Sequence, residues 1–244
     1  MNAPQSAAPV VEMLAGVSAA APGVLWLHES RTIVAADVHF GYEDVIGAAL
    51  PMWSTAEIVR VLLAAVKRLQ AREIVLLGDV VHASRMSGGA ARAVSGALDA
   101  LRAAAALTLI AGNHEGRTRG AAVLGETAEF AYRDGWLLLH GDKPPRGAQL
   151  YDRCIIGHLH PSLPLARRES APAFLVTDRL VVVPALTPYS AGLNVFSDDC
   201  LRALQTFGVR SRIGVRVVAA AQEVLYPFGE LAQLREALKC VRLT

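Results

Sequence analysis

The sequence predicts an α/β fold in which short buried strands alternate with crossover helices, and three observations carry that expectation. Apolar runs such as Thr32–Ala36 and residues 74–77 show no polar alternation, the mark of strands covered on both faces. These runs stop on an acid, Asp37 in one case and Gly78-Asp79 in the other, which puts a functional group at the carboxyl end of a strand, where open α/β sheets bind ligands. Between them lie segments with apolar residues at helical spacing, long enough to carry the chain back to start a parallel strand.

A chain of 244 residues suits one undivided domain with a sizeable core. With 53% hydrophobic and 19% charged residues it reads as globular rather than disordered. The 24 Lys and Arg against 22 Asp and Glu leave +2, too mild a balance to name a partner. Three cysteines, Cys154, Cys200 and Cys240, are odd in number and form no CxxC, which argues against a disulfide framework or a thiolate zinc site and fits a reducing cytosol. Residues 1–23 contain no Lys or Arg and carry Glu12 in their apolar part, so no secretory leader is expected. No apolar stretch of about 18 residues offers a membrane span. The expected location is cytoplasmic.

In chain order, residues 1–9 read as a loose tail, and residues 10–17 and 24–28 as strands on either side of the turn-like Ala21-Pro22-Gly23. Thr32–Ala36 follows and ends on Asp37-Val38-His39-Phe40-Gly41-Tyr42-Glu43. Ser54 opens a predicted helix with Glu57 three residues on, a capping-box pattern, and Ile58, Val61, Leu62, Ala65, Val66 and Leu69 recur on one face. That helix crosses over to a parallel strand at 74–77, which ends on Gly78-Asp79-Val80-Val81-His82. An Ala-rich helix over 90–105 precedes a strand at 107–111 ending on Gly112-Asn113-His114-Glu115. A short helix at 120–124, a run at 129–132 and the Asp134-Gly135 turn lead to the strand Trp136–Leu139, which ends on His140-Gly141-Asp142. Ile155-Ile156 ends on Gly157-His158-Leu159-His160-Pro161. Beyond it, 174–177 and 180–183 flank Asp178-Arg179 as a hairpin, 209–217 alternates like an edge strand, and a helix over 228–240 closes the chain.

Five strand ends thus supply Asp37 and His39, Asp79, Asn113 and His114, His140, and His158 and His160. In extended backbone alternate side chains point the same way, so Asp-x-His and His-x-His can each present two ligands to one side. Carboxylate oxygen and imidazole nitrogen suit manganese, iron or zinc, and a carboxylate can bridge two ions about 3.5–4 Å apart in two-metal hydrolytic sites. Glycines at 41, 78, 112, 141 and 157 leave room for sharp turns and close backbone approach.

At these residues the chain resembles the calcineurin-like metallophosphoesterase superfamily, whose D-x-H, G-D, G-N-H-D/E, H-G and G-H-x-H blocks stand here in order over about residues 32–161. The resemblance implies a metallophosphatase-like sandwich, an α+β arrangement of four layers with two packed mixed β-sheets flanked by helices. It places Asp37, His39 and His160 on one metal and Asn113, His140 and His158 on the other, with Asp79 bridging and His114 as the acid that protonates the leaving oxygen or steadies the phosphate. The implied chemistry is hydrolysis of a phosphoester, foremost a phosphodiester, by a hydroxide shared between two divalent ions. Manganese is the first expectation, with iron, zinc and magnesium as alternatives. Residues 37–161 would form the metal-site core, 10–36 the strands before it, and 162–244 the strands and helix after it. A narrower likeness, which adds Pro184-Ala185-Leu186-Thr187-Pro188, is to a small prokaryotic branch of predicted phosphoesterases related to the nuclease subunit of recombination-repair complexes and to the ligase-associated DNA endonuclease. The chain differs from the ligase-associated group at Phe40-Gly41-Tyr42 and His140-Gly141-Asp142.

The substrate this implies is a phosphoester in DNA or a nucleotide, with a DNA-repair ligase or helicase as an expected partner, no membrane, and a homodimer left open. A binding or scaffolding subunit with little turnover, or a phosphomonoesterase, is the alternative. Arg117, Tyr189, Asp142, Glu43 and Arg85 are candidate substrate contacts, Asp142 also as a partner that orients a metal-bound imidazole. His28 and His82 read as structural or surface histidines, with His82 within reach of the pocket. Arg210, Arg212 and Arg216 share one face at period two, which reads as a charge-guarded edge strand ahead of a track for a phosphate backbone. The Pro144-Pro145 loop, residues 163–172 and the final third are the expected pocket walls.

Overall fold

Apolar runs that alternate between two different cores need two sheets. The computed structural model, which describes residues 8–46, 52–82, 86–114, 119–145, 152–166, 169–190 and 192–241, has them. The first sheet runs in chain order through β1 (Val10–Leu14), β2 (Val17–Ala20), β3 (Val24–Leu27), β4 (Thr32–Ala36), β5 (Glu73–Leu77) and β6 (Ala106–Ile110). Its first three pairings are antiparallel, whereas β4, β5 and β6 are parallel, as the crossovers α2 (Trp53–Leu69) and α3 (Gly88–Ala104) require. Two short helices, α1 (Tyr42–Val45) and α4 (Arg119–Leu124), follow β4 and β6.

The second sheet contains β7 (Ala131–Arg133), β8 (Trp136–Leu139), β9 (Cys154–Ile156), β10 (Pro161–Ala166), β11 (Glu169–Val176), β12 (Leu180–Val182), β13 (Leu193–Asn194), β14 (Arg216–Ala220) and β15 (Leu225–Glu230). Its order is β13-β10-β11-β12-β9-β8-β7, with β14 paired to β11 and β15 to β14. Strands β8, β9 and β12 run parallel. The helices α5 (Asp198–Gln205) and α6 (Leu231–Val241) belong to this half.

Side-chain alternation explains the unbroken apolar runs. Val34, Ala36, Val75 and Leu77 meet Trp136, Leu138, Ile155 and Phe174 between the sheets. Their neighbours Ile33, Ala35, Ile74 and Leu76 face the other way, onto Ile58 and Leu62 of α2 and Val94, Leu98 and Leu101 of α3. Leu137, Leu139, Ile156 and Val182 likewise pack with Leu204 of α5 and Leu231 of α6. The result is the four-layer α/β sandwich, each buried Leu or Ile contributing about 1.5–3 kcal/mol.

Several elements differ from expectation. Residues 10–17 are two strands, because Gly16 at φ 75° turns the chain into a hairpin. Ser54 does not cap α2: the helix starts at Trp53, Met52 gives no side-chain cap, and the Ser54 N–H is taken by Glu43 Oε1 at 2.7 Å. Helix α3 begins at Gly88, ahead of the expected start, because the Ser87 hydroxyl accepts the Ala90 N–H at 3.1 Å. Residues 209–215 are not a strand, and Arg210, Arg212 and Arg216 form no row. Arg212 turns back to donate to the carbonyls of Phe196 (3.1 Å) and Ser197 (2.8 Å) and to Asp198 (2.9 Å), ahead of the unanticipated α5. Residues 225–230, including Phe228, form β15, so the last helix starts at Leu231. In the tail, Ala8 pairs with Leu225. No described helix is long and apolar enough to cross a membrane.

Candidate metal centre

Parallel strands deliver their carboxyl ends to one rim, so β4, β5 and β6 bring Asp37, Asp79 and the Asn113-His114 pair together, and β8 and β9 bring His140, His158 and His160. The rims of the two sheets are joined. Leu186 and Thr187 donate to the carbonyls of Ala36 (2.9 Å) and Asp37 (3.3 Å), while within the second sheet Gly157 donates to that of His140 (2.8 Å). The backbone bends sharply here: Asp37, His39, Asp79, His158 and His160 have φ of 51°, 47°, 43°, 60° and 44°. These make up five of the eight non-glycine residues with positive φ among those described. Each such residue costs on the order of 1–3 kcal/mol and persists only where its surroundings over-determine it.

The donors fall into two groups, Asp37 with His39 and His160, and Asp79 with His140 and His158, and within each group the ligand atoms lie within 4.8 Å of one another. Both carboxylates are buried and oriented alike. Asp37 Oδ2 accepts the His158 N–H at 2.8 Å while Oδ1 faces His160 Nε2 at 3.3 Å. Asp79 Oδ1 accepts the His114 N–H at 2.9 Å while Oδ2 faces His140 Nε2 at 3.5 Å. The Leu77 carbonyl, 3.0 Å from His140 Nδ1, can only accept, so Nδ1 carries the proton and Nε2 has a lone pair. That Nε2 converges with Asn113 Oδ1 at 2.8 Å and His158 Nδ1 at 3.1 Å, which brings Asn113 to the second group. Two glycines make the approach possible. A Cβ on Gly112 would collide with the backbone nitrogen and carboxylate of Asp79, and one on Gly78, at φ 69°, would lie 2.5 Å from His140 Nδ1.

Burial tunes the imidazoles. Desolvation is the largest influence on His39 and, against the pull of Asp37 and Asp79, lowers its pKa from 6.5 to about 4. Burial lowers His158 and His82 in the same direction, helped by the neighbouring His140 and His114 respectively. A neutral imidazole keeps the lone pair that ligation needs. The residues fit divalent cations: the donors are carboxylate, amide oxygen and neutral imidazole, and Asp37 Oδ1 is buried with no hydrogen-bond partner.

His114 stands at the rim, its side chain 42% exposed, with Nε2 3.9 Å from Asp79 Oδ2. His82, read from sequence as structural, belongs to this site: its Nδ1 is 3.0 Å from His39 Nδ1 and its ring stacks on His114 at 4.7 Å between centroids. Sequence reasoning also missed Tyr42, which packs against His39 and His82, and Ser190, whose hydroxyl holds His160 Nδ1. Tyr189 reaches the rim by stacking on Tyr42 at 4.8 Å, and its hydroxyl donates to Glu43 Oε1 at 3.4 Å. Glu43 is buried under that pair and is not placed to meet a substrate. Asp142 orients no imidazole by a hydrogen bond among the described residues; it is exposed and pairs with Lys143 at 3.1 Å. Arg85 and Arg117 lie outside the described residues. His28 is apart from the site and meets Ser18 at 2.9 Å.

No protein-family model matches the sequence, and no curated protein matches it. Among solved structures, the crystal structure of Pseudomonas putida nuclease MPE superposes with a TM-score of 0.65 at 20% identity, covering 91% of this chain and 100% of that one. The likeness establishes the architecture: the chain has a metallophosphatase-like α/β sandwich.

Proposed function

We propose that this chain is a phosphoesterase dependent on two divalent metal ions that hydrolyses a phosphodiester in nucleic acid or a nucleotide. The observation that carries the reading is the pair of buried carboxylates, each tied to a backbone N–H through one oxygen and aimed at imidazole nitrogens through the other. In this reading Asp37, His39 and His160 would hold one ion and Asn113, His140 and His158 the other, with Asp79 as the carboxylate shared by the two sets. The chemistry that such a pair of ions supplies when bound is charge neutralisation at the phosphoryl oxygens and a lowered pKa for water. The mixed oxygen and nitrogen donors suit manganese, iron or zinc alike; manganese is the first ion proposed, with iron, zinc and magnesium as alternatives.

The chain's own contribution is placement. His114 is anchored through its backbone to Asp79 and supported on the ring of His82, so its exposed imidazole can hold the proton that a departing alkoxide takes up. His160 is oriented by Ser190, and His140 by the Leu77 carbonyl, which fixes the nitrogen that faces the centre. The nuclease named among the structural neighbours supports a phosphodiester substrate. The test is hydrolysis of an aryl phosphodiester, single-stranded DNA, duplex DNA, a cyclic nucleotide and a simple monoester with each divalent ion. Wild type is compared with Asp79→Ala and His114→Ala. The expected result is metal-dependent turnover on a diester that Asp79→Ala abolishes and that His114→Ala lowers about 100- to 10,000-fold in kcat. A wild type no faster than Asp79→Ala with every ion and substrate would refute the proposal.

A further inference from the structure

The rim carries a second feature, a cleft of about 750 Å³ that opens from His140 and Gly112 toward Phe130, Tyr132, Pro144 and Pro145. Strand β7 lies at the edge of the second sheet, and Ala131 packs inward against the layer between the sheets. Alternation therefore turns Phe130 and Tyr132 the other way, into the cleft beside Leu137 and Leu139. Both aromatic rings are large and open, 49% and 42% exposed. They meet edge to face at 77° with centroids 5.6 Å apart, so the pair leaves a ring face uncovered. Beside His39 and His82, by contrast, Tyr42 and Tyr189 lie at 17° and cover one another.

The charge in the cleft does not suit a phosphate chain. Lys143 is paired with Asp142 at 3.1 Å, and Glu129 is a second acid on the lining. What Phe130 and Tyr132 offer is an open aromatic face beside a candidate phosphoester site, which matches the face of a heteroaromatic ring.

We propose that Phe130 and Tyr132 form a nucleobase-stacking subsite that receives an unpaired base of the nucleotide next to the phosphoester at the donor groups. The inference rests on the phosphodiester reading of that site. The base must be unpaired, because inside a duplex both of its faces are covered by neighbouring bases. Stacking tolerates any base, so the subsite selects strandedness rather than sequence.

The experiment uses the full chain, a single-stranded oligonucleotide carrying 2-aminopurine, and the same strand in a duplex. With wild type and manganese, binding quenches 2-aminopurine, and KM is lower for the single strand than for the duplex. Phe130→Ala with Tyr132→Ala weakens single-strand binding about 5- to 100-fold and removes the quench, the effect falling on KM more than kcat. Phe130→Trp with Tyr132→Phe restores both, which separates stacking from a folding defect. Equal affinity and equal quench in the double alanine variant would overturn the subsite. If wild type hydrolyses no phosphodiester with any ion, the reading of the metal centre fails, and the quench still decides whether the cleft stacks a base.

Discussion

Asp37 and Asp79 divide their oxygens in the same manner, one on a backbone N–H and one toward imidazoles, so each carboxylate is held at a set angle before any ion arrives. Burial favours the neutral imidazole at His39, beside these carboxylates, and this has a consequence for stability. The pKa of His39 falls from 6.5 to about 4 in the folded chain, so between those values the unfolded chain binds more protons than the folded one. Stability therefore rises with pH across that window and is lost on acidification through it. His82 and His158 shift in the same direction. Urea unfolding of chelator-treated protein should show a lower midpoint at about pH 5 than at about pH 7, and His39→Gln should flatten the dependence. Equal slopes in both proteins would remove His39 as a cause.

The junction where a strand stops and the backbone turns is the element that builds the site, and its tolerance is small. The end of β6 lies so close to Asp79 that Gly112 has no space for a Cβ, whereas Gly96 in the middle of α3 has nothing within 4 Å of one. Gly112→Ala should push the Asn113-His114 segment off Asp79 and weaken metal affinity by about 10- to 100-fold in calorimetric titration. The β5–β6 ladder from Glu73↔Ala106 to Leu77↔Ile110 should survive, leaving far-UV circular dichroism unchanged. Gly96→Ala is the opposite case and should stabilise the chain by about 0.5–1 kcal/mol with metal content untouched. If Gly112→Ala binds metal as tightly as wild type, close approach at this junction is not what shapes the site.

At the scale of the molecule, neither sheet holds a complete donor group. Asp37, His39 and Asp79 follow strands of the first sheet, while His140, His158 and His160 follow strands of the second, and each group draws on both. An ion bound to either group would therefore tie the two halves of the sandwich together, and its binding energy becomes folding energy. At 100 times Kd one ion adds about 2.7 kcal/mol, which for a chain of this size raises Tm by about 5–10 °C. Scanning calorimetry with manganese and then with excess chelator should show that rise and its reversal. A Tm indifferent to divalent ions would mean that the donors do not clamp the sheets.

The residues that converge at the rim and the rhythm of strand, turn and crossover were legible in the chain. Strand ends deliver neighbouring residues to one rim, and short-range periodicity records that. What lay outside sequence reasoning depends on contacts between distant segments. His82 lies three residues past Asp79, yet only the fold sets it against His39 and His114. Glu43 reads as a candidate substrate contact until Ser54 and Tyr189 close over it, and the alternation at 209–217 reads as a strand until Arg212 is seen to tie that loop to α5. The sequence by itself determined which groups could hold a metal and in what order the strands present them. Only the tertiary structure decided how those groups divide into two clusters across two sheets, because an ion site is closed by side chains whose separation in the chain carries no periodic signal.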